Sequence, residues 1–370
     1  MMTEFKVPFI DLQQRFVEEK TELLACIERI LSQGHFVLTQ EVGEFEQRIT
    51  EFTGAKHCVS CGNGTDALML GLWALGVGKG DEVITTPISF VASTGSIVHV
   101  GATPVYADVR EDQNIDPAEI EKKITSRTKA IMPVHWAGRI ADMDAIMEIA
   151  RRHNLLVIED AAQSMGAFYN GRHGGTFGNV GTFSAHPLKN LNALGDGGFL
   201  VTDDDEVARK IRLYRNHGLQ DRDTCVLYGV NSRLDSLNAE VLMFRLGRLH
   251  EVIERRRHNV NLYRSRIRAK EIYIPPCKES EKNAFVMLIT QAERRDELQI
   301  FLQKRGIQSL VYYGTPLHLH PAAQKFGHKR GDFPKAEQQA DRVLALPHHQ
   351  QLSADQIAYV ADAVNEFYRA

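Results

Sequence analysis

Short apolar, β-branched runs alternate with stretches of helical spacing through the first half of the chain. The runs fall at 57–60, 82–86, 103–108, 130–134, 155–159, 181–185 and 198–202, and most are separated by segments such as 65–75 and 143–153. Apolar runs of this length bounded by turn residues predict buried strands, and the intervening 3.6-residue periodicity predicts helices. The series is therefore βαβ. It implies a mostly parallel sheet covered on both faces, with a ligand site at the carboxyl ends of the strands.

Beyond 202 the pattern changes. Over 236–266, Leu237, Val241, Leu242, Leu246, Leu249 and Ile253 recur at three- and four-residue spacings, which predicts one long helix. The remainder mixes strand candidates (284–290, 309–313) with helices (292–305, 354–368). Three parts follow: a large α/β domain with an N-terminal helical segment (1–235), a linking helix (236–268) and a small C-terminal α+β domain (269–370). In the first fifty residues Leu23, Ile27, Ile30 and Leu31 form a stripe expected to pack on the large domain or on a partner subunit.

Composition narrows the function classes. The 370 residues are 43% hydrophobic and 25% charged, as in an ordinary globular protein. A formal charge of −3, from 44 basic and 47 acidic residues, offers no single-signed field for nucleic acid or an anionic membrane. No stretch approaches the roughly 20 apolar residues of a membrane span, and the start, Met1 to Lys6, lacks the apolar core of a signal peptide. A cytoplasmic protein is expected. Cys26, Cys58, Cys61, Cys225 and Cys277 are too scattered for a disulfide framework, and the CxxC of Cys58 and Cys61 has no second pair to complete a zinc site. No metal is expected. The His318–His320 and His348–His349 clusters have no carboxylate or thiol at ligand spacing. The run Arg255, Arg256, Arg257 and His258 reads as a solvated helix face.

Three segments carry candidate chemistry. In CVSCGNGTDALMLGLWAL a strand runs through Gly62, Asn63 and Gly64 into a helix. That geometry suits a phosphate, because glycines admit the anion and the helix start supplies free N–H groups; a plain turn capped by Thr65 or Asp66 is the bland alternative. In LLVIEDAAQSMG a strand ends on Glu159 and Asp160, with Gln163 three residues on. A carboxylate there enters the ligand crevice and can hold a heteroaromatic nitrogen protonated, unless it caps a helix with Gln163 completing a capping box. In GTFSAHPLKNLNALGDGGFLVT, Lys189 lies among apolar and small residues before the glycine-rich turn at 195–198. Burial favours the neutral amine, the nucleophile that attacks an aldehyde; a solvated loop lysine is the alternative.

The order of phosphate loop, strand-end Asp with Gln, and Lys before a glycine-rich turn points to pyridoxal phosphate (PLP). From VPFIDLQQR to LALPHHQQLS the sequence resembles the DegT/DnrJ/StrS family of PLP-dependent nucleotide-sugar aminotransferases. The resemblance implies the fold-type I, aspartate-aminotransferase-like architecture. It implies that Lys189 carries PLP covalently and moves a proton at the substrate carbon, that Asp160 pairs with the pyridinium nitrogen, and that Gln163 lies beside the ring hydroxyl. Gly64, Thr65 and Ser184 match phosphate contacts and Phe90 the ring-stacking aromatic. Asn231 matches an asparagine reaching the phosphate from the other subunit, so a homodimer with shared sites is implied. His186, Arg233, Tyr312, Tyr313 and His318 match substrate-facing positions.

The residue types suit these tasks independently, since an electron sink needs its nitrogen protonated, its ring positioned and a proton shuttle nearby. With lysine at position 189 rather than the histidine of the family's sugar dehydratases, transamination from L-glutamate to a keto sugar of a nucleotide diphosphate is expected. NGTDAL and VNSRLD resemble members acting on 3-keto sugars, and Tyr312 leans toward a 6-deoxy sugar. The alternatives are a 4-keto sugar nucleotide, a keto-cyclitol, PLP-dependent dehydration, or a non-catalytic regulatory protein on the same fold.

Overall fold

The computed structural model describes residues 5–369; of the polar start of the chain, residues 1–4 lie outside the described residues. Helices α1 (Leu12–Gln33) and α2 (Gln40–Thr53) precede the first strand, β1 (His57–Cys61). The alternation then runs α3 (Gly64–Ala74), β2 (Glu82–Thr85), α4 (Val91–His99), β3 (Thr103–Tyr106), α5 (Pro117–Glu121), β4 (Thr128–Met132), α6 (Met143–His153) and β5 (Leu156–Asp160). A short ribbon, β6 (Phe168–Tyr169) and β7 (Arg172–His173), leads to β8 (Val180–Ser184), β9 (Gly198–Thr202) and α7 (Asp205–Tyr214).

The seven apolar runs become the strands of one sheet, ordered β1-β9-β8-β5-β4-β2-β3. Every pairing from β8 to β3 is parallel; β9 alone runs against its neighbours β1 and β8. The reversal follows from the β8–β9 connection, which contains no helix to carry the chain back across the sheet. Period-two alternation then sorts the side chains. Val59, Val83, Ala130, Ile158 and Leu200 face α3, with its Leu68, Leu70 and Leu72. Cys58, Ile84, Ile131, Val157 and Val201 face the opposite way, against α2, α6 and α8 (Ser236–Arg266), through Phe45, Ile49, Ile146, Leu242 and Leu249.

At 31 residues α8 spans about 46 Å. Its N-terminal part buries Leu242, Leu249 and Ile253 under the large sheet, while Val260 and Tyr263 enter a second core. That core is built on the antiparallel strands β10 (Ile272–Tyr273), β12 (Leu288–Ala292) and β13 (Val343–Leu346), and is closed by α9 (Arg295–Lys304) and α11 (Ala354–Arg369). Strand β11 (Glu281–Lys282) instead joins the β6–β7 ribbon, and α10 (Pro334–Arg342) precedes β13.

Four expectations change. The strand expected at 284–290 begins only at Leu288, because Phe285 is left-handed (φ 45°) and the carbonyls of 284–286 turn to side chains. Segment 309–313 forms a single bridge, Leu310 to Ala345, and no strand. Along α1, Leu23 and Ile30 are buried but Leu31 is exposed, so the stripe is narrower than the sequence implied. The basic run on α8 is only partly a solvated face: Arg255 and His258 are exposed, but Arg256 is fully buried and donates to the carbonyls of Phe285 and Val286 and to Gln350 Oε1. Val7 packs in the C-terminal core and pairs with Ile307, so the start of the described chain is strapped to the end.

Close packing leaves no room at Gly181, where an added Cβ would lie 1.9 Å from the carbonyl oxygen of Gly175. Gly181→Ala is expected to destabilise the fold by about 2 kcal/mol, read as a lower denaturation midpoint; an unchanged midpoint would refute this packing.

Candidate active site

Three strand ends converge at the carboxyl edge of the large sheet. At the first, β1 passes through Gly62 and Asn63 into α3. Asn63 is the cap, its Oδ1 accepting the Asp66 N–H at 2.8 Å, while Asp66 Oδ2 accepts from Asn63 Nδ2 (3.0 Å) and from the Ser232 hydroxyl (2.6 Å). The capping role expected of Thr65 or Asp66 thus falls to Asn63. Among the described residues the N–H groups of Gly64 and Thr65 meet no acceptor, at the positive end of an 11-residue helix. Gly64 abuts Ser184 at the end of β8: a Cβ on Gly64 would stand 2.7 Å from that of Ser184. Gly64, Thr65 and Ser184 therefore form one cradle of N–H and hydroxyl donors, with neither a cation nor room for a larger side chain at Gly64.

At the second strand end, β5 sends two adjacent carboxylates to opposite faces. Glu159 is fully buried and accepts from the N–H groups of Gly175 (2.7 Å), Phe177 (2.7 Å) and Gly178 (2.6 Å), and is 2.8 Å from His135 Nε2. It is a structural hub. Asp160 accepts from the Ser93 hydroxyl at 2.6 Å, itself 2.6 Å from Ser89, and from the Ala162 N–H at 3.3 Å. These donors are neutral and leave acceptor capacity for one more. No helix follows β5, so the capping-box alternative fails. Gln163 instead accepts the N–H of Ala137 at 2.7 Å and stays buried.

At the third, β8 leads into a turn that carries Lys189, its N–H bonded to the carbonyl of His186 at 2.8 Å. The side chain is half-buried and its ammonium makes no hydrogen bond among the described residues. Burial pushes its pKa down to about 8, against the opposing pull of Asp160. His186 is exposed, and burial of its ring together with Lys189 lowers its pKa.

Phe90, at the start of α4, is 50% exposed, an unusual setting for a ring beside a buried core. Its centroid is 6.0 Å from that of Tyr313, which also meets Trp136 (5.7 Å) and Tyr312 (5.3 Å). The Leu317 N–H donates to Pro87 O at 2.8 Å, tying this C-terminal loop to the end of β2. Burial, then Tyr312 and Asp160, raise the Tyr313 pKa. Tyr312 leans on Phe9 at 5.9 Å. His318 is not on an open face: it is 1% exposed, 3.1 Å from Glu337 and packed on Phe333. Arg233 is half-buried and bonds Asn216 at 3.2 Å, and Asn231 is exposed beside the buried Ser232. Sequence reading missed Ser93 and Ser232. Ser89 and Ser93 carried a local signal, one helical turn apart just after the β2 run.

A half-buried lysine facing a carboxylate, an exposed aromatic ring and a cationless phosphate-type cradle define an α/β enzyme of fold-type I. The chain belongs to the DegT/DnrJ/EryC1/StrS aminotransferase family, whose profile matches residues 17–365. It is 42% identical over 367 residues to a pleiotropic regulatory protein of Geobacillus stearothermophilus, covering 98% of this chain and 99% of that one. It is 40% identical over 364 residues to the dTDP-3-amino-3,4,6-trideoxy-α-D-glucose transaminase of Streptomyces venezuelae, covering 98% and 96%. The crystal structure of S. venezuelae DesV with a ketimine intermediate superposes with a TM-score of 0.96 at 40% identity, covering 98% and 99%. Other solved relatives are in PLP- and PMP-bound forms.

Because burial disfavours the ammonium, the reactive neutral amine of Lys189 grows as pH rises through about 8 rather than 10.5. The rate at which cofactor-free protein takes up PLP should follow that titration; a midpoint near that of an ordinary lysine would contradict it.

Proposed function

We propose that the protein is a PLP-dependent aminotransferase that moves an amino group from L-glutamate to the keto carbon of a nucleotide-diphosphate 3-keto sugar. The observation that carries this reading is the convergence of Lys189, Asp160 and the free N–H groups of α3 at one sheet edge. The chain in which it occurs is similar over its whole length to a sugar 3-amino transaminase. PLP, when bound, serves as the electron sink for the carbon attached to it.

The residues fit that group. Gly64, Thr65 and Ser184 would hold its phosphate with neutral donors, which match a dianion in hydrogen-bond number. Phe90 would support one face of the ring, Asp160 would accept the ring N–H, and Gln163 would lie beside the ring hydroxyl. Lys189 Nζ would be the covalent attachment point and would hold and return the proton at the substrate carbon, a task that its lowered pKa, about 8 in the free amine, suits near neutral pH. Tyr313, His186, Tyr312 and Arg233 would face the sugar or its diphosphate.

The same reading makes the protein a cytoplasmic homodimer, with Asn231 completing the partner's phosphate site. Support comes from apolar residues exposed on and just after α1 (Phe16, Val17, Leu24, Leu31, Phe36), from five free cysteines, and from the absence of any described helix long and apolar enough to cross a membrane. It also divides the chain into a cofactor-binding domain (1–235), a linking helix (236–268) and a small domain (269–370).

One relative is named for regulation rather than catalysis, which gives a non-catalytic reading a specific footing. Glutamate-driven bleaching of the visible absorption, followed by amination of a 3-keto but not a 4-keto sugar nucleotide, is expected. Lys189→Ala should lower turnover by about 10²- to 10⁴-fold or more. Retained transamination in that variant would overturn the assignment, and an absent glutamate response in the wild type would favour the regulatory reading.

A further inference from the structure

The loop that carries Lys189 is gripped from beneath by α8 through a chain of hydrogen bonds. The Lys189 carbonyl accepts from Asn192 Nδ2 at 2.8 Å, and the same nitrogen is 3.2 Å from the Asn190 carbonyl. The other end of that amide, Asn192 Oδ1, accepts from Arg245 Nη1 at 2.6 Å, which also reaches the carbonyls of Asn192 (2.8 Å) and Ala193 (3.2 Å). Arg245 in turn donates through Nε and Nη2 to Glu19 Oε2 of α1, at 3.0 and 2.8 Å. The Arg245 and Glu19 side chains are 10% and 11% exposed, so solvent screens this pair little.

We infer that Glu19, Arg245 and Asn192 are positioning residues for Lys189, fixing its backbone so that the amine meets the reacting carbon in one geometry. The turn they brace contains Gly195 and Gly197, whose backbone tolerates many conformations. The Lys189 N–H is bonded on one side to His186 O, and the Asn192 amide fixes the peptide plane on the other. Together they set the direction in which the side chain leaves. Charge-assisted bonds hold that plane more tightly than neutral ones, and Glu19 keeps the guanidinium from standing as an unpaired buried charge. The Asn192 side chain spans Lys189 O and Arg245 Nη1 at once, one through its N–H donor and the other through its carbonyl acceptor.

The inference rests on Lys189 being the residue that carries PLP. Three variants of the full-length protein test it: Asn192→Ser, Arg245→Met and Arg245→Lys. Turnover number, KM for the sugar nucleotide, PLP content and the pH midpoint of the bound-PLP absorption are read for each. In Asn192→Ser and Arg245→Met the kcat per PLP-loaded site should fall about 10- to 100-fold, with KM within about twofold and the absorption midpoint displaced. Arg245→Lys should recover part of both losses. If Arg245→Met does not fold, Asn192→Ser, a small change at a loop position, carries the test. Wild-type kcat and an unmoved midpoint in PLP-loaded Asn192→Ser would overturn the proposal. Failure of the PLP assignment shows differently, as wild-type protein that takes up no cofactor.

Discussion

The burial of the Lys189 amine without a hydrogen-bonded counter-ion is the constraint on which the rest of the site depends. A pKa lowered from 10.5 to about 8 corresponds to about 3 kcal/mol spent holding the charged form at neutral pH. The sign follows from linkage. Between pH 8 and 10.5 the unfolded chain binds more protons, so this penalty is present in full below pH 8 and is relieved as pH rises through that window. Such a position must be enforced by contacts that do not neutralise the charge. The β8–β9 turn is accordingly held through its backbone, by Arg15 at the Pro187 carbonyl and by Asn192 at that of Lys189, and through the Asn190 side chain, which reaches across to the Ala284 carbonyl.

Opposite the lysine, the protein separates two carboxylates that are adjacent in sequence. Glu159 spends its oxygens on the N–H groups of a tight loop and on His135, and thereby fixes the strand end from the core side. The His135 N–H is also bonded to the Asp160 carbonyl at 3.0 Å, so the backbone bearing Asp160 is clamped from the neighbouring strand. Asp160 is left with Ser93 and one backbone N–H. An arginine partner would neutralise much of the carboxylate's charge, whereas a serine leaves that charge for a ring N–H. Neutral donors recur in the cradle of Gly64, Thr65 and Ser184, and the electrostatics of the site is therefore set by groups that the ligand itself must complete.

Much of this was legible in the sequence, for identifiable reasons. The strands declared themselves because most of their residues are buried, β2 and β9 along their whole length, which leaves short apolar runs. Gly64 and Lys189 declared themselves because their local surroundings are chemically odd. The choice between Glu159 and Asp160 could not be read from residue types, since it depends on which face of β5 meets the crevice. Ser93 acts on a residue 67 positions away, and Ser232 on one 166 away; neither contact leaves a periodic trace. The resemblance assigns His318 to a substrate-facing loop, while the fold turns its ring into an aromatic cluster against Tyr106 and Phe333.

The basic residues of α8 show the same limit most sharply. Arg245 and Arg256 are separated by 11 residues, about three full turns, so they share one face of the helix. That face also carries the buried Leu242 and Leu249, and it meets protein at both arginines. Arg256 is 1% exposed with its pKa lowered to about 9 by burial and by Arg15, and it meets backbone carbonyls in place of a carboxylate. Those carbonyls belong to Phe285 and Val286, in the segment whose preceding residue, Ala284, receives Asn190. The two arginines thus grip the lysine turn and the segment that turn leans on. Residues 284–286 break from the strand pattern expected of them because their carbonyls are taken by α8 and the lysine loop, and the long helix that joins the two cores is also the element that sets where they meet.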